Sequence, residues 1–448
     1  MADPRFSYSA DQLTALAHTA LDVARHAGAS ACEVDISEGY GQSVNVRQGA
    51  VETIEHHRDK GIGITVYLGQ NKGHASTSDF HPNAIADAVA AALNIARYTA
   101  RDDCAGLADP DQLAQGDIPA LDLYHPWELN VEDAITLAQT CEAAAFASNP
   151  AIKNSEGANV STQAGHFIYA NSHGFCAGYP TARHSVSCMV IAESADDMQR
   201  DYWYSVHRRP DGLENAAAIG QCAAQRAAAR LNARTLSTRT APVIFDASLA
   251  AGLIGHFVGA VSGGSLYRKA SFLLDSLGKS IFAPCVNLYE EPHQRQGLAS
   301  SPFDSEGVAT HPRTVVEQGV VEGYFLSSYS ARKLGMQSTG NAGGSHNLRL
   351  APTLSGGLAA LLREMGTGLL VTELLGQGVN GVTGDYSRGA AGFWVENGVI
   401  AYPVHEITIA GHLRQMFQDI VAISDDVLIH GSKQTGAILL REMTIAGQ

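Results

Sequence analysis

No Cys-x-x-Cys pair occurs in these 448 residues, and the seven cysteines, at positions 32, 104, 141, 176, 188, 222 and 285, are odd in number. A zinc ribbon and a disulfide framework are both excluded by that pattern, which reads as reduced thiols of a cytoplasmic protein. Basic side chains are also scarce. Thirty Lys and Arg stand against 45 Asp and Glu, for a formal charge of -15. That is the wrong sign for affinity built on neutralising phosphates, so nucleic acid is not an expected ligand. The opening MADPRFSYSADQL has neither the charged start nor the apolar core of a secretory signal. Residues 247–267 lack Asp, Glu, Lys and Arg over about the length of a bilayer span, but they contain five glycines, three serines and a histidine. They are expected to form a buried helix running into a glycine-rich loop, and no membrane role is expected.

At roughly 100 to 200 residues per domain, the length implies two to four domains. Leu13, Leu16, Ala17, Ala20, Leu21 and Ala24 recur at helical spacing, with Ser9 and Gln12 as a capping box and Gly28 as the stop. From Cys32 to Asp79 the period changes to two, with Gly39, Gly41, Gly49, Gly61 and Gly73 read as turn points of an antiparallel sheet. Pro82, Ile85, Val89, Leu93 and Ala96 restore the helical period. Residues 1–100 thus form an α+β unit, and the Asp-, Pro- and Gly-rich stretch 101–130 reads as a linker. Residues 131–235 repeat the order helix, strands, helix, which points to structural duplication, although no residue-level repeat is visible. Residues 236–448 are expected to be mainly β with one buried helix near Leu249–Val261, and Asn397-Gly398 marks a hairpin. The fold class is therefore α+β, ending in a β-rich C-terminal domain. Gly255, Gly259, Gly263 and Gly264 are expected to allow close backbone approach.

Motifs that carry chemistry are few. Gly376, Gly378 and Gly381 spell G-x-G-x-x-G after a strand-like run, but VTGDYSRGAAGF follows where a dinucleotide site needs a helix. Ser330 and Lys333 match S-x-x-K without the accompanying motifs of a serine acyl-transfer enzyme, and no G-x-S-x-G elbow exists. His405-Glu406 lies in a strand pattern, where neighbouring side chains diverge instead of meeting at one ion.

The runs GHFVGAVSGGSLYRKASFLLDSLGKSI, GLASSPFDSEGV, SSYSARKLGMQSTGNAGG and EMGTGLLVTELLGQGVNGVTGDYSRGAAGFWVENG resemble the PmbA/TldD family of metallopeptidases, specifically its PmbA (TldE) branch. The likeness extends over essentially the whole chain. It implies a cytoplasmic peptidase assembly that cuts unfolded or modified small peptides, in which a TldD-type subunit carries the zinc and a PmbA-type subunit pairs with it. In the TldD branch the resemblance places zinc on His-Glu-x-x-x-His plus a distant cysteine. The matching positions here run from Ala251 and Gly252 to His256, so only the last histidine survives, and no cysteine follows Cys285. No cofactor is expected in this chain, with zinc in the partner and a homodimer as the alternative state of the isolated chain. The substrate or interface candidates are Asp385, Tyr386 and Arg388 in GDYSRGAAG, taken as the wall of a groove with an edge for an extended peptide, together with Ser330 and Lys333. Two alternatives stay open: an autonomous hydrolase using Ser330 and Lys333 or the carboxyl pair Asp304 and Glu306, and a non-enzymatic protein-binding modulator.

Overall fold

A computed structural model describes residues 5–116 and 118–447. The first third runs α1 (Ala10–His26), β1 (Ala31–Arg47), β2 (Ala50–Leu68), β3 (Asn71–Thr77) and α2 (Pro82–Tyr98). The capping box at the start of α1 is formed, with Ser9 and Gln12 satisfying each other's backbone N–H groups, and the helix buries Leu13, Ala17, Ala20 and Ala24. Next come α3 (Val131–Ser148), β4 (Ile152–Asn171), β5 (Cys176–Ala177), β6 (Pro180–Glu193), β7 (Met198–His207) and α4 (Ala216–Ala229).

These two helix–sheet–helix groups share one sheet. β1 pairs with β4 from Glu33↔Asn171 to Val46↔Ala158, which joins all seven strands in the order β3-β2-β1-β4-β6-β7 with β5 beside β4. Even-numbered residues of β1 serve both halves: Val34 and Ile36 pack under α1 and α2, Val44 and Val46 under α3 and α4. The glycines read as turn points need correction at four of five positions. β1 runs unbroken through Gly39 and Gly41, β2 through Gly61, and Gly73 lies inside β3. Only Gly49 turns the chain, with φ +75 beside Gln48 at φ +52. Two of the others relieve crowding: a Cβ on Gly41 would stand 2.3 Å from His57 Nε2, and one on Gly73 would stand 2.0 Å from the Ala92 carbonyl oxygen.

The stretch 101–130 is not a free tether. Leu107, Ala108, Leu113, Leu121 and Leu123 are buried, Leu113 bridges Val308, and Arg332 donates to the Leu107 carbonyl at 2.6 Å. It helps to weld the odd-numbered face of the large sheet, with Tyr169, to Phe303 and Val308 of the last third.

That last third contains β8 (Arg239–Phe245), α5 (Ala247–Ala260), α6 (Gly263–Tyr267), β9 (Leu288–Glu290), β10 (Arg313–Glu317), β11 (Val320–Val321), α7 (Ser328–Leu334) and β12 (Leu348–Leu350). It continues with α8 (Gly357–Met365), β13 (Gly368–Leu375), β14 (Asp385–Glu396), β15 (Val399–His412), α9 (Leu413–Gln418), β16 (Ile420–Ile423), β17 (Lys433–Gln434) and β18 (Ile438–Ala446). Five short strands form the sheet β11-β10-β9-β12-β17. Six others run β15-β14-β13-β8-β18-β16, and a further pairing of β15 with β18 at Thr408↔Ala446 to Ala410↔Thr444 closes the first five into a ring, with β16 attached outside it on β18. The Asn397-Gly398 hairpin is present, with both residues at positive φ. α5 is the expected buried helix, but it is not alone: α8 also buries Leu361, Leu362 and Met365. Among the described residues no helix is long and apolar enough to cross a membrane.

Candidate functional site

α5 starts where Asp246 accepts the Ser248 N–H at 3.0 Å. Leu253, Ile254, Phe257 and Ala260 drive it into the core of the ring. The opposite flank carries Gly252, Gly255, His256 and Gly259, spaced at i, i+3, i+4 and i+7, and is open. A Cβ on Gly252 or Gly259 would meet nothing within 4 Å, and one on Gly255 would only approach Lys433 Cε at 3.6 Å. Ala251 is half-buried and Gly252 exposed. The expected close approach therefore fails at Gly255 and Gly259 because that flank faces a cavity. It holds at Gly263, where a Cβ would stand 2.1 Å from Ser330 Oγ.

The cavity holds about 360 Å³ and lies between α5, the loop 376–384 and β14. Tyr386 and Arg388, two apart on β14, share the face turned to α5. The Tyr386 ring stands edge-on to the His256 imidazole at 6.0 Å, and burial pushes its phenol up to about 12. His256 is held below the usual imidazole range by burial and then by the Arg388 guanidinium, so it is neutral at pH 7. The guanidinium itself is poorly satisfied. Its Nη2 donates to the Leu374 carbonyl at 3.4 Å, and its buried Nε has no partner. The Gly376-x-Gly378-x-x-Gly381 segment closes the far wall: Ser387 N–H donates to the Gly378 carbonyl and Asn380 N–H to the Asp385 carbonyl. A strand follows it, not a helix.

The structure thus brings His256, Tyr386 and Arg388 together and leaves the other candidates elsewhere. Asp385 is exposed on the opposite face of β14 and accepts from Thr383 Oγ1 at 2.6 Å. The expected free edge is absent at β14, because β15 pairs along one side while β13 and the Gly378–Asn380 backbone occupy the other. Ser330 is buried in the cap of α7, bonded to Ser327. Lys333 pairs with Asp102 at 2.8 Å, and that hydrogen bond raises the ammonium to about 12. It is protonated at neutral pH and is no general base.

A larger cavity, about 570 Å³, lies elsewhere, between the seven-stranded sheet and the loops around 304 and 343. It contains Asp304 and Glu306, but both are tied to the backbone. Asp304 accepts from the N–H groups of Glu306, Val308 and Ala342 at 2.9–3.0 Å, and Glu306 accepts from Ser328 N–H at 2.8 Å. Burial still pushes the Asp304 carboxyl up to about 7. The smaller cavity is the better candidate site because the buried Nε of its arginine has no partner, whereas these carboxylates hold loops together. Gln377 of its wall escaped notice in the sequence, since nothing local to it signals the cavity. Among the described residues, no three His, Cys, Asp or Glu side chains are grouped so as to hold a metal ion.

Three family models cover the chain: PmbA/TldA metallopeptidase domain 1 over residues 32–96, the central domain over 124–231 and the C-terminal domain over 238–447. A metalloprotease PmbA homolog of Haemophilus influenzae is 51% identical over 96% of this chain and 94% of its own length. Metalloprotease PmbA of Escherichia coli O157:H7 is 51% identical over 96% and 95%. A Bacteroides thetaiotaomicron crystal structure, described as that of a candidate modulator of DNA gyrase, superposes with a TM-score of 0.92 at 26% identity, covering 97% of this chain and 98% of that one.

Proposed function

Because this chain belongs to the PmbA/TldD family of metallopeptidases, in its PmbA branch, we propose that it is the non-catalytic subunit of a cytoplasmic zinc peptidase. Its partner in this reading is a TldD-type subunit, and its substrates are unfolded or modified small peptides. The donor set at 251–256 carries the reading. Ala251 and Gly252 have no ligating atom, and one imidazole cannot supply the three protein ligands of a catalytic zinc site. The Arg388 guanidinium beside His256 adds a like charge that opposes a dication. These residues do not fit zinc, and no hydrolytic step is assigned to them. The Ser330–Lys333 alternative is disfavoured because the serine caps a helix and the lysine stays charged.

Co-expression with a TldD-type subunit tests the proposal. A stable heteromer on size-exclusion chromatography, cutting a peptide that this chain alone leaves intact, is the expected result. Cleavage by this chain alone in excess chelator would favour the autonomous hydrolase. A heteromer inert toward every peptide tried would favour the modulator.

A further inference from the structure

The cavity flanked by α5 and β14 has features that the non-catalytic role does not by itself require. We propose that it binds the carboxylate of a small peptide, with the Arg388 guanidinium as the anion's partner and His256 as a second hydrogen-bonding group. This deepens the peptide-handling reading above and rests on it.

Three observations carry the proposal. First, Arg388 is short of partners. A buried N–H without an acceptor is destabilising, and such groups in folded proteins usually have a partner in protein, water or ligand. Here Nε has none, Nη2 makes one long bond, and no carboxylate lies within ion-pair distance among the described residues. Second, the space is built by small residues. Gly255 and Gly259 take side chains away from the flank of α5 facing Arg388, and the resulting 360 Å³ accommodates a dipeptide's end. Gln377 and Ser265 line the same space with further polar groups. Third, the lining selects the ligand class. The cavity wall carries the Arg388 guanidinium and no carboxylate, so it suits an anion and repels a metal ion. An arginine fork suits the two carboxylate oxygens.

The carboxylate could come from a free C-terminus or from an Asp or Glu side chain, and the probes separate these sources. The full chain alone would be titrated by isothermal calorimetry with N-acetyl-alanyl-alanine, its C-terminal amide, and N-acetyl-aspartyl-alanine amide. At least one carboxylate probe is expected to bind about tenfold or more tighter than the uncharged amide. Preference for the first acid assigns a free C-terminus, and preference for the aspartyl amide assigns an acidic side chain. Arg388→Gln should lose that preference, and Arg388→Lys should retain part of it. Gly259→Leu, which projects into open space, should block binding while leaving the melting temperature close to wild type, so the test stands even if Arg388→Gln misfolds. Equal binding of acid and amide, no binding at about 10 mM, or wild-type binding by both Arg388→Gln and Gly259→Leu would overturn the proposal. None of these readouts uses the partner or cleavage, so failure here is distinct from failure to assemble a peptidase.

Discussion

Gly259 and Gly263 are four residues apart, yet alanine at the two should act in opposite directions. Gly259 lies within α5, and a Cβ there meets nothing within 4 Å. Gly259→Ala therefore removes the entropic cost of a helical glycine and should stabilise by about 0.5–1 kcal/mol. Gly263 starts α6 and sits against α7. A Cβ there would stand 2.1 Å from Ser330 Oγ, 2.5 Å from Ser330 Cβ and 3.1 Å from Leu326 Cδ2. Rotating the serine hydroxyl could clear the first contact but not the second, because Ser330 Cβ is fixed to the α7 backbone. α6 and α7 must separate, which should cost about 1–3 kcal/mol, the usual range for overpacking. Urea denaturation followed by far-UV circular dichroism would compare the two variants, with the midpoint rising for Gly259→Ala and falling for Gly263→Ala at similar slopes. A fall for Gly259→Ala would show that its flank of α5 is packed and that the cavity does not exist as described. No change for Gly263→Ala would show that the α6–α7 contact is loose.

Gly220→Ala places a Cβ 1.9 Å from the Cys141 carbonyl oxygen, so it should force α3 and α4 apart and lower the denaturation midpoint by the equivalent of about 1–3 kcal/mol. Asp385→Ala, on the far face of β14, should leave peptide turnover by the heteromer within about twofold of wild type, whereas Arg388→Ala should lower it about tenfold or more. Equal losses for the two would place Asp385 at the site as well. The Lys333 hydrogen bond, with those of Tyr329 and Cys104, holds the Asp102 carboxyl down at about 2, against an ordinary value of 3.8. A depressed carboxyl stabilises the fold above the ordinary value, and that contribution is lost as pH falls through about 2. Lys333→Met should therefore flatten the dependence of stability on pH between about 4 and 2, as followed by thermal melts at stepped pH.

Local chemistry was the legible part of the sequence. The Ser9/Gln12 box, the Asn397-Gly398 turn and the uncharged run of α5 each state their structure within a few residues, and each is found. Glycine was legible only as a departure from ordinary side chains. Gly49 turns the chain, whereas Gly41 and Gly73 make room for His57 and Ala92, residues brought near by pairing and packing. The joining of β1 to β4 was hidden for the same reason, since alternation marks a strand but not its neighbour. At the site, Arg388 and His256 could each be named, one from a charged glycine-rich segment and the other from a degenerate motif. Their juxtaposition depends on β14 and α5 meeting across the ring, which no local pattern encodes. Asp385 and Arg388 are neighbours in GDYSRGAAG but lie three apart on one strand, so the period-two alternation sends them to opposite faces.

The most direct test of the non-catalytic role is the metal content and activity of the purified chain before any partner is added. Metal analysis after dialysis, paired with a peptide-cleavage assay in added zinc, should give far less than one zinc per chain and no turnover until a TldD-type subunit is supplied. One tightly held zinc per chain, with cleavage by this chain alone that a chelator abolishes, would contradict the account.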